Sequence, residues 1–240
     1  MKTLPRAIAA VNAMEQKPDF VVFTGDLTQT TDDPKVRRQR LREVKNMIGD
    51  LTSRGHQVRT FAGEHDASLD RGEAYLEVFG GQLNYTFEHK GIHFIVLDNC
   101  SDPAPLLGAK QIDWLKTDLA QQKTDAPIVV LTHRPLLSMY PQWDWATRDG
   151  DQAINALMPY KNVSVFYGHV HHEHHFKTGH IEHHAAMSTM FPLAPVGAMP
   201  QKTQLPWDAA TPYKGLGFRT IRATANGTVA QPREIPFASA

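Results

Sequence analysis

The sequence has 240 residues, with 25 basic side chains against 25 acidic ones and a formal net charge of zero. That balance excludes a general binder of nucleic-acid polymers, whose affinity needs a basic surface. The single cysteine, Cys100, excludes an internal disulfide and a cysteine-based metal cluster, and no apolar run is long enough to cross a membrane.

The length suits one domain spanning 1–240. Met1 to Gln16 reads as a surface helix, with Ala7, Ile8, Val11 and Met14 on one face, and not as an export signal. Lys17-Pro18-Asp19 turns into an apolar strand that ends in Gly25-Asp26. Asp33-Pro34 opens a second helix, Asp as the cap and Pro at the first helical position. Its inward face is Val36, Leu41, Val44, Met47, Ile48 and Leu51, and its basic run Lys35, Arg37, Arg38, Arg40 and Arg42 reads as a solvated face. After Gly55 a second strand leads into Gly63-Glu64-His65-Asp66.

Residues 70–79 read as a short helix. Tyr85–Glu88 and Ile92–Leu97 read as a hairpin turning at Lys90-Gly91, and Asp98-Asn99 as either a turn or a part of the crevice. Residues 109–122 form a helix with Ile112, Leu115 and Leu119 inward. The strand Ile128–Thr132 then delivers His133. Tyr140, Trp143 and Trp145 sit in the following loop, either as a substrate wall or as anchors that pin it. A helix over 151–159 precedes the strand Val163–Tyr167, which delivers Gly168-His169-Val170-His171. Ile181–Ala186 reads as a strand returning towards the crevice. Prolines and glycines make 191–215 an extended loop, and 216–240 supplies closing strands, Phe218–Ala223 first.

Four apolar runs thus each end in metal-type ligands: Asp26, Glu64, His133 and His169 with His171. Strand ends of one sheet lie side by side, so such loops converge on one crevice. Strands alternating with helices and a strand-rich second half give an α/β class.

The order Gly-Asp, Gly-Glu-His-Asp, His, Gly-His-Val-His resembles the calcineurin-like metallophosphoesterase family. The resemblance implies two facing mixed β-sheets flanked by helices. It also implies metal-dependent hydrolysis of a small phosphate ester, mono- or diester, by a metal-activated water. One divalent ion would be held by Asp26, Glu64, His133 and His169. A second would be held by Asp26, His171 and an Asp-x-His motif that should precede the first helix. Oxygen and imidazole ligands suit manganese, iron or zinc. His65 matches the position of the general acid, with Asp66 orienting its ring. Asn99, Trp143, Trp145 and His184 are candidate substrate-binding residues. Glu64 stands where most members carry Asn, adding one negative charge. The Gly-Glu-His-Asp variant resembles a bacterial subgroup with export signals, which implies a periplasmic parent.

The Asp-x-His motif is absent, so either the start is trimmed or half of one metal site is lacking. Of 13 histidines, eight lie between His169 and His184, and His172, His174, His175 and His184 are candidate replacement ligands. The alternatives to an active hydrolase are a weak single-metal remnant and a non-enzymatic histidine-rich metal binder.

Overall fold

Alternating side chains along the apolar strands give each strand two faces, and both faces are covered. A computed structural model describes residues 3–143, 145–223 and 232–237. Strands β1 (Phe20–Phe23) and β2 (Gln57–Thr60) form a parallel pair. The strands β3 (Tyr85–His89), β4 (Ile92–Val96), β5 (Pro127–Thr132), β6 (Asn162–Tyr167), β7 (His174–Thr178) and β8 (Ile181–Ala185) form a six-stranded sheet of order β3-β4-β5-β6-β8-β7. Its interior strands β4, β5, β6 and β8 are parallel, and its edges β3 and β7 are antiparallel. A separate antiparallel ladder joins β9 (Gly217–Thr220) to β10 (Arg233–Pro236).

On one face of the large sheet, Ile128, Val130, Val163 and Val165 pack against Ile112, Leu115 and Leu119 of one helix and Ile154 and Leu157 of another. On the other face, Phe94, Val96, Val129, Leu131 and Phe166 meet Phe20 and Val22 of β1. The outer side of that pair, Val21, Phe23 and Val58, is covered by Ile8 and Val11 of α1 (Thr3–Asn12) and Leu51 of α2 (Pro34–Ser53). The layers therefore run helices, strand pair, sheet, helices. Among the described residues, β1–β2 and β9–β10 are separate two-stranded ladders, and the β1–β2 pair faces the large mixed sheet.

The helix cap is as expected: Asp33 Oδ1 accepts from the amides of Lys35 (2.8 Å) and Val36 (3.2 Å). Two side chains of α2 depart from expectation. Met47 is exposed, and Arg37 is buried at 6 % exposure. Arg37 donates to Asp70 Oδ2 (2.6 Å) and to the Thr31 carbonyl (2.9 Å). Arg38 and Arg42 pair with Glu77, Arg38 also with Glu73, both on α4 (Glu73–Phe79). The basic run is thus mostly a docking edge, because α4 and the loop after β1 pack along it.

The other helices are α3 (Glu64–Ala67), α5 (Gly108–Leu119) and α6 (Gly150–Leu157). Strand β7 was not expected, because all its residues but Phe176 are polar and it lies at a sheet edge. Within the closing segment, 224–231 and 238–240 lie outside the described residues, as do 1–2 of the first helix.

Buried His93 on β4 joins Asp118 through Nε2 (2.7 Å) and Glu88 through Nδ1. Burial pulls its pKa down, but the bonds to Asp118 and Glu88 outweigh it, and the net shift is upward. Stability from this group is therefore fully present below the unfolded value of about 6.5 and is lost as pH rises through the raised folded value. His93→Leu is expected to cost about 1–3 kcal/mol at pH 6 and less at pH 8, read by urea denaturation. An equal cost at both would remove the charge from the account.

Candidate metal centre

The chain leaves β1 through Gly25, at φ +88°, which turns Asp26 back over the strand end. Two glycines make room there. A Cβ on Gly25 would lie 2.4 Å from His133 Nδ1, and one on Gly63 would lie 2.2 Å from Asp26 Oδ1. Glu64 follows Gly63 at the start of α3, His133 follows β5, and His169 follows β6 through Gly168. His169 and His171 both take left-handed backbone, φ +64° and +56°, which L side chains seldom adopt without a cause.

These turns bring Asp26, Glu64, His133 and His169 together, one ligand-type atom from each lying within 4.8 Å of all the others. His133 Nε2 is 2.8 Å from Glu64 Oε2 and 3.2 Å from Asp26 Oδ2, and His169 Nδ1 is 2.8 Å from Glu64 Oε1. His133 Nδ1 meets the Thr24 carbonyl at 2.6 Å, so Nε2 is the nitrogen turned to the carboxylates. His133 Nε2, Glu64 Oε2 and both nitrogens of His169 are buried without a hydrogen-bond partner. Close approach without hydrogen-bond geometry is what a divalent cation between these atoms would satisfy, and two carboxylates would neutralise it.

The electrostatics agree. Burial pushes the Glu64 carboxyl up, but the His133 charge and the close ring nitrogens of His133 and His169 outweigh it and hold it well below the usual carboxylate range. Burial likewise opposes a proton on His133, but Asp26 and Glu64 raise its pKa well above the ordinary value. That proton stands where a cation would sit. Burial lowers His169 to about 4, so it is a neutral ligand at pH 7.

The other expected site residues fall differently. His171 is outside the group of four, its Nδ1 2.8 Å from the Phe191 carbonyl. His65 sits beside the group: its amide donates to Asp26 Oδ1 (3.0 Å), and its Nε2 is 3.8 Å from Asp26 Oδ2. Asp66 does not orient His65. Its carboxylate accepts from the amides of Leu27 (2.9 Å), Thr28 (2.9 Å) and Gly63 (3.0 Å), tying the two ligand loops together. Burial, then the Asp26 charge, raises its pKa to about 6 against those amides.

Asn99 is buried, and its carboxamide is fully engaged. Nδ2 donates to the Arg134 carbonyl (2.9 Å) and Thr147 Oγ1 (2.6 Å), and Oδ1 accepts from the Arg134 amide (3.2 Å). It braces the loop after His133 and has no donor left for a substrate. Trp143 and Trp145 are buried against Tyr167 and Val170, which is the anchor arrangement. His184 lies on β8 with its Nδ1 2.7 Å from His175 Nδ1, a cross-strand pair rather than part of the four. Sequence reasoning missed Thr30, whose hydroxyl meets His65 Nδ1. It also missed Arg134, whose guanidinium is 3.8 Å from Glu64 Oε1. Only its place next to His133 could have flagged Arg134.

The profile of the calcineurin-like phosphoesterases matches residues 2–173. The chain belongs to that family. Among its relatives, the serine/threonine-protein phosphatase CPPED1 of Mus musculus is 24% identical over an alignment of 141 residues that covers 55% of this chain and 45% of the relative. A probable cyclic nucleotide phosphodiesterase of Rhodococcus erythropolis is 28% identical over an alignment of 141 residues that covers 55% of this chain and 44% of the relative. The chain therefore spans under half the length of these relatives. The purple acid phosphatase PPD1 of yellow lupin superposes with a TM-score of 0.63 at 15% identity, over 98% of this chain and 48% of that one, which shows a shared fold.

In this calcineurin-like phosphoesterase, removing the cation should leave Asp26, Glu64 and Asp66 buried together with their charges opposed. A ligand at a hundredfold excess over its Kd stabilises by about 2.7 kcal/mol. Chelation with EDTA is therefore expected to lower Tm by roughly 5–10 °C, and zinc or manganese to restore it. An unmoved Tm would mean that the four residues hold no cation.

Proposed function

We propose that this chain hydrolyses small phosphate esters at a divalent-metal centre made by Asp26, Glu64, His133 and His169. The observation that carries the reading is the convergence of those four side chains, with unpartnered ring nitrogens facing carboxylates. Manganese, iron and zinc all suit this mixed oxygen and imidazole set. When bound, divalent ions neutralise phosphate charge and lower the pKa of a coordinated water so that it reacts near neutral pH.

The residues supply the rest. Asp26 and Glu64 bring the negative charge that retains the cation. Asp66 locks the loop after β1 to Gly63, so the carboxylates of Asp26 and Glu64 keep their spacing. His65, beside Asp26, gives a proton from Nε2 to the leaving oxygen. His171, with Asp26, is the candidate for holding a second ion. The relatives' names suggest a phosphoprotein monoester or a cyclic nucleotide diester as substrate types.

The test is hydrolysis of 4-nitrophenyl phosphate and bis(4-nitrophenyl) phosphate with added manganese. Both or either should be cleaved, and His65→Ala should lower kcat by about a hundredfold. A chain that binds one ion and cleaves neither ester would overturn the hydrolase reading. Several ions lost only on deleting 172–184 would favour a histidine-rich metal binder instead.

A further inference from the structure

We propose that Thr30 is the positioning residue that fixes the His65 ring against the metal centre. This rests on the hydrolytic reading above. The loop after Asp26 is held from both sides. Asp66 receives the amides of Leu27 and Thr28, both at 2.9 Å. From α2, Arg40 donates to the Gln29 carbonyl (3.1 Å) and buried Arg37 to the Thr31 carbonyl (2.9 Å). The backbone on either side of Thr30 is therefore pinned, and Arg37 is braced in turn by Asp70.

From that fixed place the Thr30 hydroxyl meets His65 Nδ1. The His65 amide is tied to Asp26 Oδ1, and its Nε2 faces Asp26 Oδ2. The ring is held at its back by Thr30, with Nε2 left facing the centre. Among the described residues no other side chain takes this role, since Asp66 is turned to backbone amides.

The chemistry of a hydroxyl suits the task. Its lone pair accepts from Nδ1–H and leaves Nε2 as the nitrogen that serves the centre. The proton that leaves is thus the one on Nε2. As the oxygen of the attacking water bonds to phosphorus and its proton passes to solvent, the ester P–O bond breaks; that bond's electron pair stays on the leaving oxygen, which takes the Nε2 proton. The ring keeps its Nδ1 proton and its orientation. Because the hydroxyl is neutral, it orients the ring without adding a third carboxylate to a centre that already holds Asp26 and Glu64.

The experiment compares Thr30→Val and Thr30→Ser in the manganese-loaded chain. With phenyl phosphate, whose leaving group needs a proton, Thr30→Val should lower kcat by about tenfold or more with KM and metal content unchanged. With 2,4-dinitrophenyl phosphate the loss should be smaller, and Thr30→Ser should restore both rates. An unchanged kcat, an equal loss on both esters, or no rescue by serine would overturn the proposal. A parent chain that cleaves neither ester would defeat the hydrolytic reading, and Thr30 would then be judged by a second measurement. Long-range proton–nitrogen NMR of the zinc-loaded chain should show His65 as the Nδ1–H tautomer in the parent and in Thr30→Ser. It should show a tautomer mixture in Thr30→Val. Identical His65 signals in all three would overturn the positioning role by themselves.

Discussion

Asp26→Asn is expected to remove stoichiometric divalent-cation binding and to slow nitrophenyl phosphate hydrolysis by about a thousandfold. The exchange keeps the side chain's size and keeps an oxygen at Oδ1 for the His65 amide, now 3.0 Å away. It removes the charge at Oδ2, the oxygen 3.2 Å from His133 Nε2 and 3.8 Å from His65 Nε2. Burial raises the pKa of Asp26, but His133 outweighs it and the net shift is downward, so the group is ionised at pH 7. A metal at the reacting phosphate is worth several kcal/mol, and about 4 kcal/mol is a thousandfold in rate. The metal-free fold should not weaken, because asparagine also removes the like charge that faces buried Asp66. Isothermal titration with zinc and a melt in EDTA separate the two effects. Full metal binding with a rate loss under tenfold would take Asp26 out of the centre.

The strand ends were legible in the sequence for a physical reason. A buried parallel strand is a continuous apolar run, and a glycine followed by a ligand type marks where it stops. That rule marks Asp26, Glu64 and His169, and His133 follows its apolar strand directly from Thr132; these are the four residues that converge in space. What it could not identify were residues whose roles depend on partners far along the chain. Arg37 looks like any other charge in a basic helix until Asp70, 33 positions later, buries it. Asn99 looks like a crevice residue until its carboxamide closes on Arg134 and Thr147. Asp66 sits beside His65 in sequence, yet the helical turn Glu64–Ala67 sends the two side chains apart. The histidines after His171 drew attention by number alone, and His175 and His184 prove to be cross-strand neighbours on an edge hairpin.

A residue with no chemistry of its own should be nearly as sensitive as Asp26. Gly63 has φ −99° and ψ −178°, an extended backbone that any amino acid adopts, so alanine would meet no conformational penalty there. The obstacle is space alone: the added Cβ would stand 2.2 Å from Asp26 Oδ1 and 2.3 Å from the Asp26 amide nitrogen. No real Cβ comes so close, and neither partner can yield. The amide nitrogen is backbone, and the carboxylate is fixed by its place over β1. Gly63→Ala must therefore push the loop after β1 away from α3, opening the distance between Asp26 and Glu64 on which the centre depends. It should also stretch the bonds by which Asp66 joins Gly63 to Leu27 and Thr28. Metal affinity should fall by about a hundredfold or more, and hydrolysis with it. Gly55→Ala is the control. At φ +84° it carries backbone strain of about 1–2 kcal/mol, yet nothing lies within 4 Å of its Cβ. It should lower Tm while leaving zinc binding and kcat intact. If Gly63→Ala instead behaved like Gly55→Ala, losing stability but keeping the cation, the two loops would not be setting the spacing of the carboxylates. The close fit at Gly63 would then have no part in the activity.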